Sequence, residues 1–373
     1  MGYQVAPRIF EEGGFGQEQL EELKVSGYEL ADTYKEQLEE LFEIDNPGTK
    51  DEAVKREFLN SRLGGTPELK GNWVIYDWQK KAVHLVGRDE FHRLRTNRNR
   101  EIVTLEELET MSKYTVGIAG MSVGNSIARA LNSSSVCGGL VIADHDRFSL
   151  SNMNRVNISV ADLGETKVDV TLRQLYENNP YARVKVLPQG LDKNNLDSFF
   201  ASGKFIAIDE IDDFEMKVRI RQAAKQKRVP VVMLTNLGDN TLIDVERYDS
   251  EDGVRPFNSL ADDTVEDILA GKMSPEDMKR YAANLAGIQN VPTRALKSLT
   301  LMGRSLVGRP QLYSSVAISG GLAAYVVKQI ILGKDVKSGR YKLSLGEVLG
   351  LGAQDVADSP ERQEIMGALG AGK

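Results

Sequence analysis

Residues 144–155 have the sequence DHDRFSLSNMNR, which places two carboxylates, two amides and two arginines directly after the apolar run Leu140–Ala143. Polar groups at the end of a buried strand are well suited to a charged, hydroxyl-bearing ligand. A carboxylate at the position of Asp144 can accept hydrogen bonds from the hydroxyls of a ribose. The planar guanidinium of Arg155 matches the oxygens of a phosphate. The stretch therefore predicts a nucleotide site, and Asp144 alone is equally compatible with ATP and with NAD.

A turn containing glycine precedes this stretch, in residues 117–124 (GIAGMSVG). Gly120, Ser122 and Gly124 follow a predicted strand and open a predicted helix. The exposed N–H groups of a helix N-terminus attract phosphate, and glycine lets the backbone come close to it. The spacing from Gly120 is G-x-x-x-G, which departs from the G-x-G-x-x-G of dinucleotide-binding turns. The turn therefore has two interpretations, a phosphate loop or a tight turn in which Gly124 only lets the helix pack on the strand.

The elements that would position these residues alternate between short apolar runs and amphipathic helices from Tyr114 onward. This alternation is typical of right-handed βαβ units, which build a parallel sheet. We therefore predict an α/β fold with a Rossmann-like, mostly parallel sheet and helices on both faces, in which antiparallel strands enter after Val229. The predicted strands are Tyr114–Ala119, Leu140–Asp144, Val184–Leu187, Phe205–Ile208, Val229–Leu234 and Thr241–Tyr248. The predicted helices are Gly124–Ser134, Glu165–Asn178, Leu196–Ser202 and Phe214–Lys227.

The N-terminal part of the chain has a different pattern. Residues 17–44 predict two helices separated at Gly27, and the apolar runs Trp73–Trp78 and Ala82–Val86 predict a β-hairpin. We therefore predict a smaller N-terminal α+β region of helices and a hairpin, followed by a nucleotide-binding domain and a loosely held tail. The predicted boundaries are 1–110, 111–350 and 351–373.

The composition narrows the classes of function. A net charge of -7 argues against a nucleic-acid partner, because binding to a duplex depends on clustered lysine and arginine. The single cysteine, Cys137, rules out an internal disulfide and a cysteine-based zinc site within this sequence. Polar residues interrupt the longest apolar stretch, Val316–Leu332, which we expect to fall short of a membrane span. The first residues lack the apolar core of a signal peptide. We therefore expect a soluble, cytoplasmic protein that binds neither nucleic acid nor membrane.

Three further residues bear on the choice between ligands. Asn152, Arg155 and Lys167 would form a clamp for a polyanion, whereas hydride transfer from NAD is better served by few fixed charges near the pyrophosphate. Each candidate also has an ordinary structural explanation: a surface ion pair for Arg155, a solvated helix residue for Lys167 and a helix N-cap for Asp212. We interpret His145, which lies between two acids, as a solvent-facing loop residue. An NAD(P)-dependent oxidoreductase and a non-catalytic nucleotide-binding module remain as alternatives.

The order of these motifs resembles one family. The segments that carry the likeness are Asp144-x-Asp146-x-x-x-Leu150-Ser151-Asn152-x-Asn154-Arg155, Leu163-Gly164-x-x-Lys167, Asn179-Pro180 and Ile208-Asp209-Glu210-Ile211-Asp212-Asp213. They look like the ThiF/MoeB/ubiquitin-activating-enzyme superfamily, and the loop from Gly120 to Gly124 is similar to the G-L-S-V-G loop of a bacterial subgroup. The resemblance implies an adenylyltransferase that uses ATP and Mg²⁺ to activate a carboxylate.

The resemblance also implies a role for each candidate residue. Gly120, Ser122 and Gly124 would form the phosphate loop. Asp144 would bind the ribose, and Asn152 and Arg155 would bind the phosphates. Lys167 would neutralise charge on the α-phosphate, and Asp212 would hold Mg²⁺. We expect Arg155 and Lys167 to be exposed in the empty site, so that replacing either changes stability little.

A second subunit is implied by another segment. Arg95-Thr96-Asn97-Arg98-Asn99 resembles the R-Y-x-R-Q/N segment with which the family delivers an arginine across a dimer. The resemblance thus implies a homodimer in which Arg98 acts in catalysis on the partner's ATP. The alternative is that these arginines pair with the acids of residues 18–52. Cys137 lies where the family has a plain turn, so we expect activation without a catalytic cysteine. The acceptor stays open between a small protein, a peptide and a metabolite.

Overall fold

The computed structural model describes residues 5–200, 203–260, 264–274, 281, 285, 287–351 and 359–368. The chain forms two compact units. Unit 1 comprises Met1–Leu108 and Leu172–Ala182, and unit 2 comprises Glu109–Thr171 and Arg183–Lys373.

Unit 1 contains a four-stranded sheet in the order β1-β3-β4-β2, formed by Arg8–Phe10 (β1), Glu29–Asp32 (β2), Asn72–Tyr76 (β3) and Lys81–Leu85 (β4). The antiparallel pairing of β3 with β4 confirms the predicted hairpin. The two predicted N-terminal helices are present, but β2 lies between them and pairs in parallel with β4. Helices that begin in the N-terminal part of the chain are Gln17–Val25, Tyr34–Asp45, Glu52–Leu63, Arg88–Thr96 and Leu105–Ser112.

Unit 2 is built on a seven-stranded sheet in the order β11-β10-β9-β8-β5-β6-β7. Its strands are Tyr114–Ala119 (β5), Gly139–Ala143 (β6), Val184–Leu187 (β7), Lys204–Asp209 (β8), Val231–Leu237 (β9), Asn240–Glu246 (β10) and Gly339–Ser344 (β11). The pairings from β9 through β8, β5 and β6 to β7 are parallel, whereas β10 pairs antiparallel with both β9 and β11. This arrangement confirms a mostly parallel sheet that acquires antiparallel strands late in the chain.

Helices cover both faces of this sheet. Ala119 belongs to the same hydrophobic cluster as Met216 of the helix Phe214–Lys227. Its neighbour Ile118 points to the opposite face, since successive side chains of a strand alternate. There Ile118 contacts Gly124 at the start of the helix Val123–Ser133. The other helices that begin in this part of the chain are Lys167–Asn178, Leu196–Phe199, Val265–Leu269, Thr293–Leu301, Tyr313–Ile331, Leu345–Val348 and Pro360–Ala368.

The helix Tyr313–Ile331 is long and apolar enough, by length and composition, to cross a membrane, so the expectation that this stretch falls short was wrong on that criterion. Its apolar window is 56% buried inside the protein, as in the core helix of a folded domain. Gly320 lets the helix approach Val123–Ser133 closely, since a Cβ there would lie 2.8 Å from the backbone oxygen of Ser126.

The C-terminal segment differs from the expectation of a loosely held tail. The helix Pro360–Ala368 packs against Thr293–Leu301. Arg362 and Ile365 are buried there, and Arg362 donates to the backbone oxygen of Val291 at 2.8 Å. That part of the tail is therefore anchored by packing and hydrogen bonding, while residues 352–358 and 369–373 lie outside the described part of the chain.

Candidate active site

Three parallel strands of unit 2 end at the same edge of the sheet. Ala119, the last residue of β5, pairs with Ala143 at the end of β6 and with Asp209 at the end of β8. The residues that follow, Gly120 and Asp144 among them, therefore leave the sheet side by side. This is the edge at which ligands bind in open α/β sheets.

The backbone of Gly120 fixes the turn after β5. Its φ of +92° is a conformation that glycine adopts without strain. A Cβ at this position would lie 2.5 Å from the backbone oxygen of Glu210, so the close approach also requires glycine. The Gly120 N–H donates to Ala143 O at 2.7 Å, and the next N–H, from Met121, donates to Asp144 Oδ2 at 2.6 Å.

The start of the following helix supports both interpretations of the turn. A Cβ on Gly124 would lie 2.9 Å from Ile118 Cγ2, so Gly124 does let the helix pack on the strand. Ser122 occupies the N-cap, but its side chain makes no capping hydrogen bond. The helix Val123–Ser133 thus begins without a side-chain cap, a state in which its first N–H groups can bind an anion.

Lys167 lies against two carboxylates. Its Nζ is 2.7 Å from Asp146 Oδ2 and 3.8 Å from Asp144 Oδ2. Lys167 is the first residue of the helix Lys167–Asn178, which begins two residues after the predicted start at Glu165, and its backbone N–H donates to Asp146 O at 2.8 Å. Hydrogen bonding to this ammonium lowers the pKa of Asp146. Lys167 is only 8% exposed, so the expectation of an exposed lysine was wrong because the two acids draw it inward.

Arg155 is half-buried in the polar stretch after β6. One of its terminal nitrogens donates to Ser151 O at 3.1 Å and to Asn154 Oδ1 at 3.0 Å. Its Nε is buried without a hydrogen-bond partner. Burial lowers the pKa of Arg155, and the carboxylate of Asp212 opposes that effect. An unpartnered guanidinium N–H with a lowered pKa is the state that a bound anion would relieve.

The side chain of Asn152 stabilises the turn in which it lies. Its Oδ1 accepts the backbone N–H of Ser149 at 3.0 Å. The amide nitrogen of Asn152 is the group that remains available to a phosphate, since an amide carries donors as well as an acceptor.

The two acids before the helix Phe214–Lys227 have different environments. Asp213 is the N-cap, since its Oδ1 accepts the N–H of Met216 at 2.8 Å. Asp212 is exposed and leaves that structural role to its neighbour. Asp209 is fully buried, and its two oxygens contact Lys217 at 3.1 Å and Arg221 at 2.5 Å. Asp209 therefore secures the strand end, whereas the carboxylate of Asp212 remains accessible to a cation.

A second group of residues has metal-ligand chemistry. Asp144, His145 and Asp146 offer ligand atoms within 4.8 Å of one another. His145 is exposed, as expected, but the ion pair between Asp146 and Lys167 already places a cation at this group. We therefore assign the group to holding Lys167.

Two residues considered from the sequence are not at this edge of the unit 2 sheet: Cys137 precedes β6, and Arg98 belongs to unit 1. Cys137 is half-buried in the turn before β6, and burial raises the pKa of its thiol to about 12. Arg98 belongs to unit 1, where it is exposed on the short turn Asn97–Asn99. The ion pair with Asp45 is made by Arg93, which precedes the segment Arg95–Asn99, and no described residue forms an ion pair with Arg98.

Comparisons with known proteins place the chain in a family. Residues 95–345 match the family model described as the ThiF family. A Mycobacterium tuberculosis (strain CDC 1551 / Oshkosh) protein named uncharacterized protein MT1398 is 35% identical over 277 residues, which cover 74% of this chain and 38% of that protein. The Bacillus subtilis (strain 168) tRNA threonylcarbamoyladenosine dehydratase is 25% identical over 186 residues, which cover 49% of this chain and 70% of that enzyme.

Solved structures are also similar in part. The crystal structure of the Escherichia coli tRNA N6-threonylcarbamoyladenosine dehydratase, TcdA, aligns with a TM-score of 0.47 at 17% identity, covering 66% of this chain and 98% of that one. Sequence relatives further include the Caenorhabditis elegans ubiquitin-like modifier-activating enzyme 5, 24% identical over 40% of this chain and 38% of that protein. The chain therefore spans well under two thirds of the length of two of these relatives.

Proposed function

Because the chain belongs to the ThiF family, we propose that it catalyses the ATP-dependent adenylation of a carboxylate. The observation that carries the proposal is the position of Lys167, whose ammonium lies 3.8 Å from the carboxylate that holds the N–H of the glycine turn. The amine is thus fixed beside the segment that would cradle the phosphates. A fixed cation beside a phosphate loop favours a polyanionic ligand over an uncharged one.

The reaction brings two anions together. A carboxylate oxygen attacks the α-phosphorus of ATP, a P–O bond forms, and the bond to the pyrophosphate breaks. The acceptor carboxylate is already deprotonated at neutral pH, so no general base is needed. Lys167 and Arg155 would act by neutralising charge that develops on the phosphate oxygens, which is the main catalytic requirement of such a transfer.

The proposed metal site is Asp212. Its carboxylate is exposed, and its charge opposes the lowering of the pKa of Arg155, whose guanidinium would bind phosphate. Hard oxygen ligands and substrate phosphates are the donors that Mg²⁺ prefers. When bound, Mg²⁺ would supply charge neutralisation at the pyrophosphate.

The acceptor is the open part of the proposal. The names of the relatives point to a modified tRNA nucleoside in one case and to a ubiquitin-like modifier in another. The net charge of -7 makes a protein, peptide or small acid the favoured acceptor class. We further propose a homodimer in which Arg98 reaches the partner's site, and an activation step that does not use Cys137.

ATP–pyrophosphate exchange tests the proposed reaction. Labelled pyrophosphate should enter ATP when the full chain is incubated with Mg²⁺ and the correct acceptor, tried as peptide C-termini, a panel of small acids and tRNA. Lys167→Ala should lose the exchange, whereas Lys193→Ala, which removes an exposed lysine from a loop, should keep it. Conversion of ATP to ADP and phosphate under these conditions, or reduction of NAD, would assign the site to another reaction.

A further inference from the structure

A second segment of unit 2 joins the polar stretch that holds Arg155. The Nδ2 group of Asn154 donates to the backbone oxygen of Gln311 at 2.7 Å. This hydrogen bond fixes Gln311, which precedes the helix Tyr313–Ile331, against the residues that follow β6. The fold therefore brings a distant part of the chain to the candidate site.

That segment carries an arginine, Arg309, two residues before the contact. The side chain is exposed, and the described residues form no ion pair with it. Its positive charge acts on Arg155 and adds to the lowering of the Arg155 pKa by burial. The hydrogen bond from Asn154 to Gln311 thus brings the chain that carries Arg309 to the stretch that carries Arg155, and the electrostatic effect on Arg155 agrees with that placement.

The region also contains polar atoms without partners. Besides Arg155 Nε, the side-chain Oε1 of Gln311 is buried and has no hydrogen-bond partner among the described residues. Like charges repel, and an anion that binds both of them removes the cost. A multiply charged anion with several oxygens satisfies both guanidinium groups, because each can donate two parallel hydrogen bonds.

We propose that Arg309 binds the β- and γ-phosphates of ATP, and the pyrophosphate product, together with Arg155 of the same chain. This inference rests on the proposed adenylation. Lys167 is held beside the glycine turn, and the two arginines would serve the outer phosphates. The site then has an arginine pair within one subunit, in addition to any arginine that a partner supplies.

Pyrophosphate binding to the full chain, measured by titration calorimetry with inorganic pyrophosphate and Mg²⁺, tests the inference without an acceptor. Arg309→Ala should weaken binding by about 10- to 100-fold, the loss typical of a charge-assisted hydrogen-bond donor. Arg304→Ala is the matched control, since this exposed arginine lies five residues earlier in the chain, and the variant should bind within about twofold of the unaltered chain. Arg309→Lys should recover part of the loss, because it restores the charge but not the planar donors.

The outcomes separate this inference from the proposed function. Equal affinity of Arg309→Ala and the unaltered chain, or no pyrophosphate binding by the unaltered chain, would overturn the role of Arg309. If pyrophosphate binding depends on Arg309 but the chain never exchanges pyrophosphate into ATP, the anion site is supported and only the proposed adenylation is contradicted. Unchanged thermal unfolding of Arg309→Ala would confirm that the variant is folded.

Discussion

Lys167 and Asp146 form an ion pair at the edge of the sheet, with 2.7 Å between Nζ and Oδ2. The pair holds the ammonium beside Asp144, which in turn holds the N–H of Met121 in the glycine turn. A lysine held in this way needs little reorganisation when a phosphate binds. A charge that is already in place stabilises the transition state without the cost of reorganisation.

The first prediction concerns the two cations of the site. Lys167→Ala and Arg155→Ala should each lower the rate of adenylation by about 10² to 10³, the usual effect of losing one contact to developing charge. Lys167→Ala should also lower the free energy of unfolding, because it leaves Asp144 buried without its cation. Exchange assays and urea denaturation measure the two effects, with Lys193→Ala as the exposed control. Turnover at the unaltered rate in both variants would mean that the site lies elsewhere.

The second prediction concerns the buried charges beneath the site. Arg221 is fully buried between Asp209 and Glu246. Its Nε forms an ion pair with Glu246 Oε2 at 2.8 Å, but the two atoms are not aligned for a hydrogen bond. Arg221→Ala should lower the free energy of unfolding by about 3–5 kcal/mol, since it leaves buried Glu246 without a cation and buried Asp209 with Lys217 alone. Arg219→Ala removes a partly exposed arginine from the same helix and should cost at most about 1 kcal/mol. Equal losses in denaturant titrations of the two variants would contradict the role of the network.

The third prediction concerns the thiol. Cys137→Ser should keep adenylation and any later transfer, because a half-buried thiol with a pKa of about 12 carries almost no thiolate at neutral pH. Exchange rates and mass spectrometry of trapped intermediates provide the measurement. Recovery of a thioester on Cys137 would establish an acyl-transfer step instead.

The fourth prediction concerns the second subunit. If Arg98 acts on the partner's ATP, Arg98→Ala and Lys167→Ala chains should each be inactive alone, and mixed dimers should regain one complete site. Subunit exchange is first confirmed with differently tagged chains. With exchange confirmed, mixtures that stay inactive would place Arg98 in its own subunit's site or in none.

Much of the sheet follows from the sequence. Tyr114–Ala119, Val184–Leu187 and Phe214–Lys227 were predicted to the residue. The strand Tyr114–Ala119 ends in a buried apolar run, and the helix has a clear start at Asp213. The strands β1, β2 and β11 were missed. All three lie at sheet edges and keep most of their side chains partly or fully exposed, so none of them has a buried apolar run.

The site was less predictable than the sheet. The residues after β5, β6 and β8 could be grouped because parallel strands end at one edge. The burial of Lys167 depends on where Asp146 points, which spacing does not encode. Arg309 had no signal of its own, since only the contact between Asn154 and Gln311 brings its segment to the polar stretch. Sequence patterns therefore predicted the groups on one edge, and packing determined their charge environment.

The central claim is that the glycine turn, Arg155 and Lys167 bind the phosphates of ATP. Titration calorimetry of the full chain with Mg·ATP and, separately, with NAD and NADP tests it most directly. The account predicts saturable binding of Mg·ATP that is weakened in Arg155→Ala and in Lys167→Ala, and much weaker binding of both dinucleotides. Tight binding of NAD with none of Mg·ATP would contradict it.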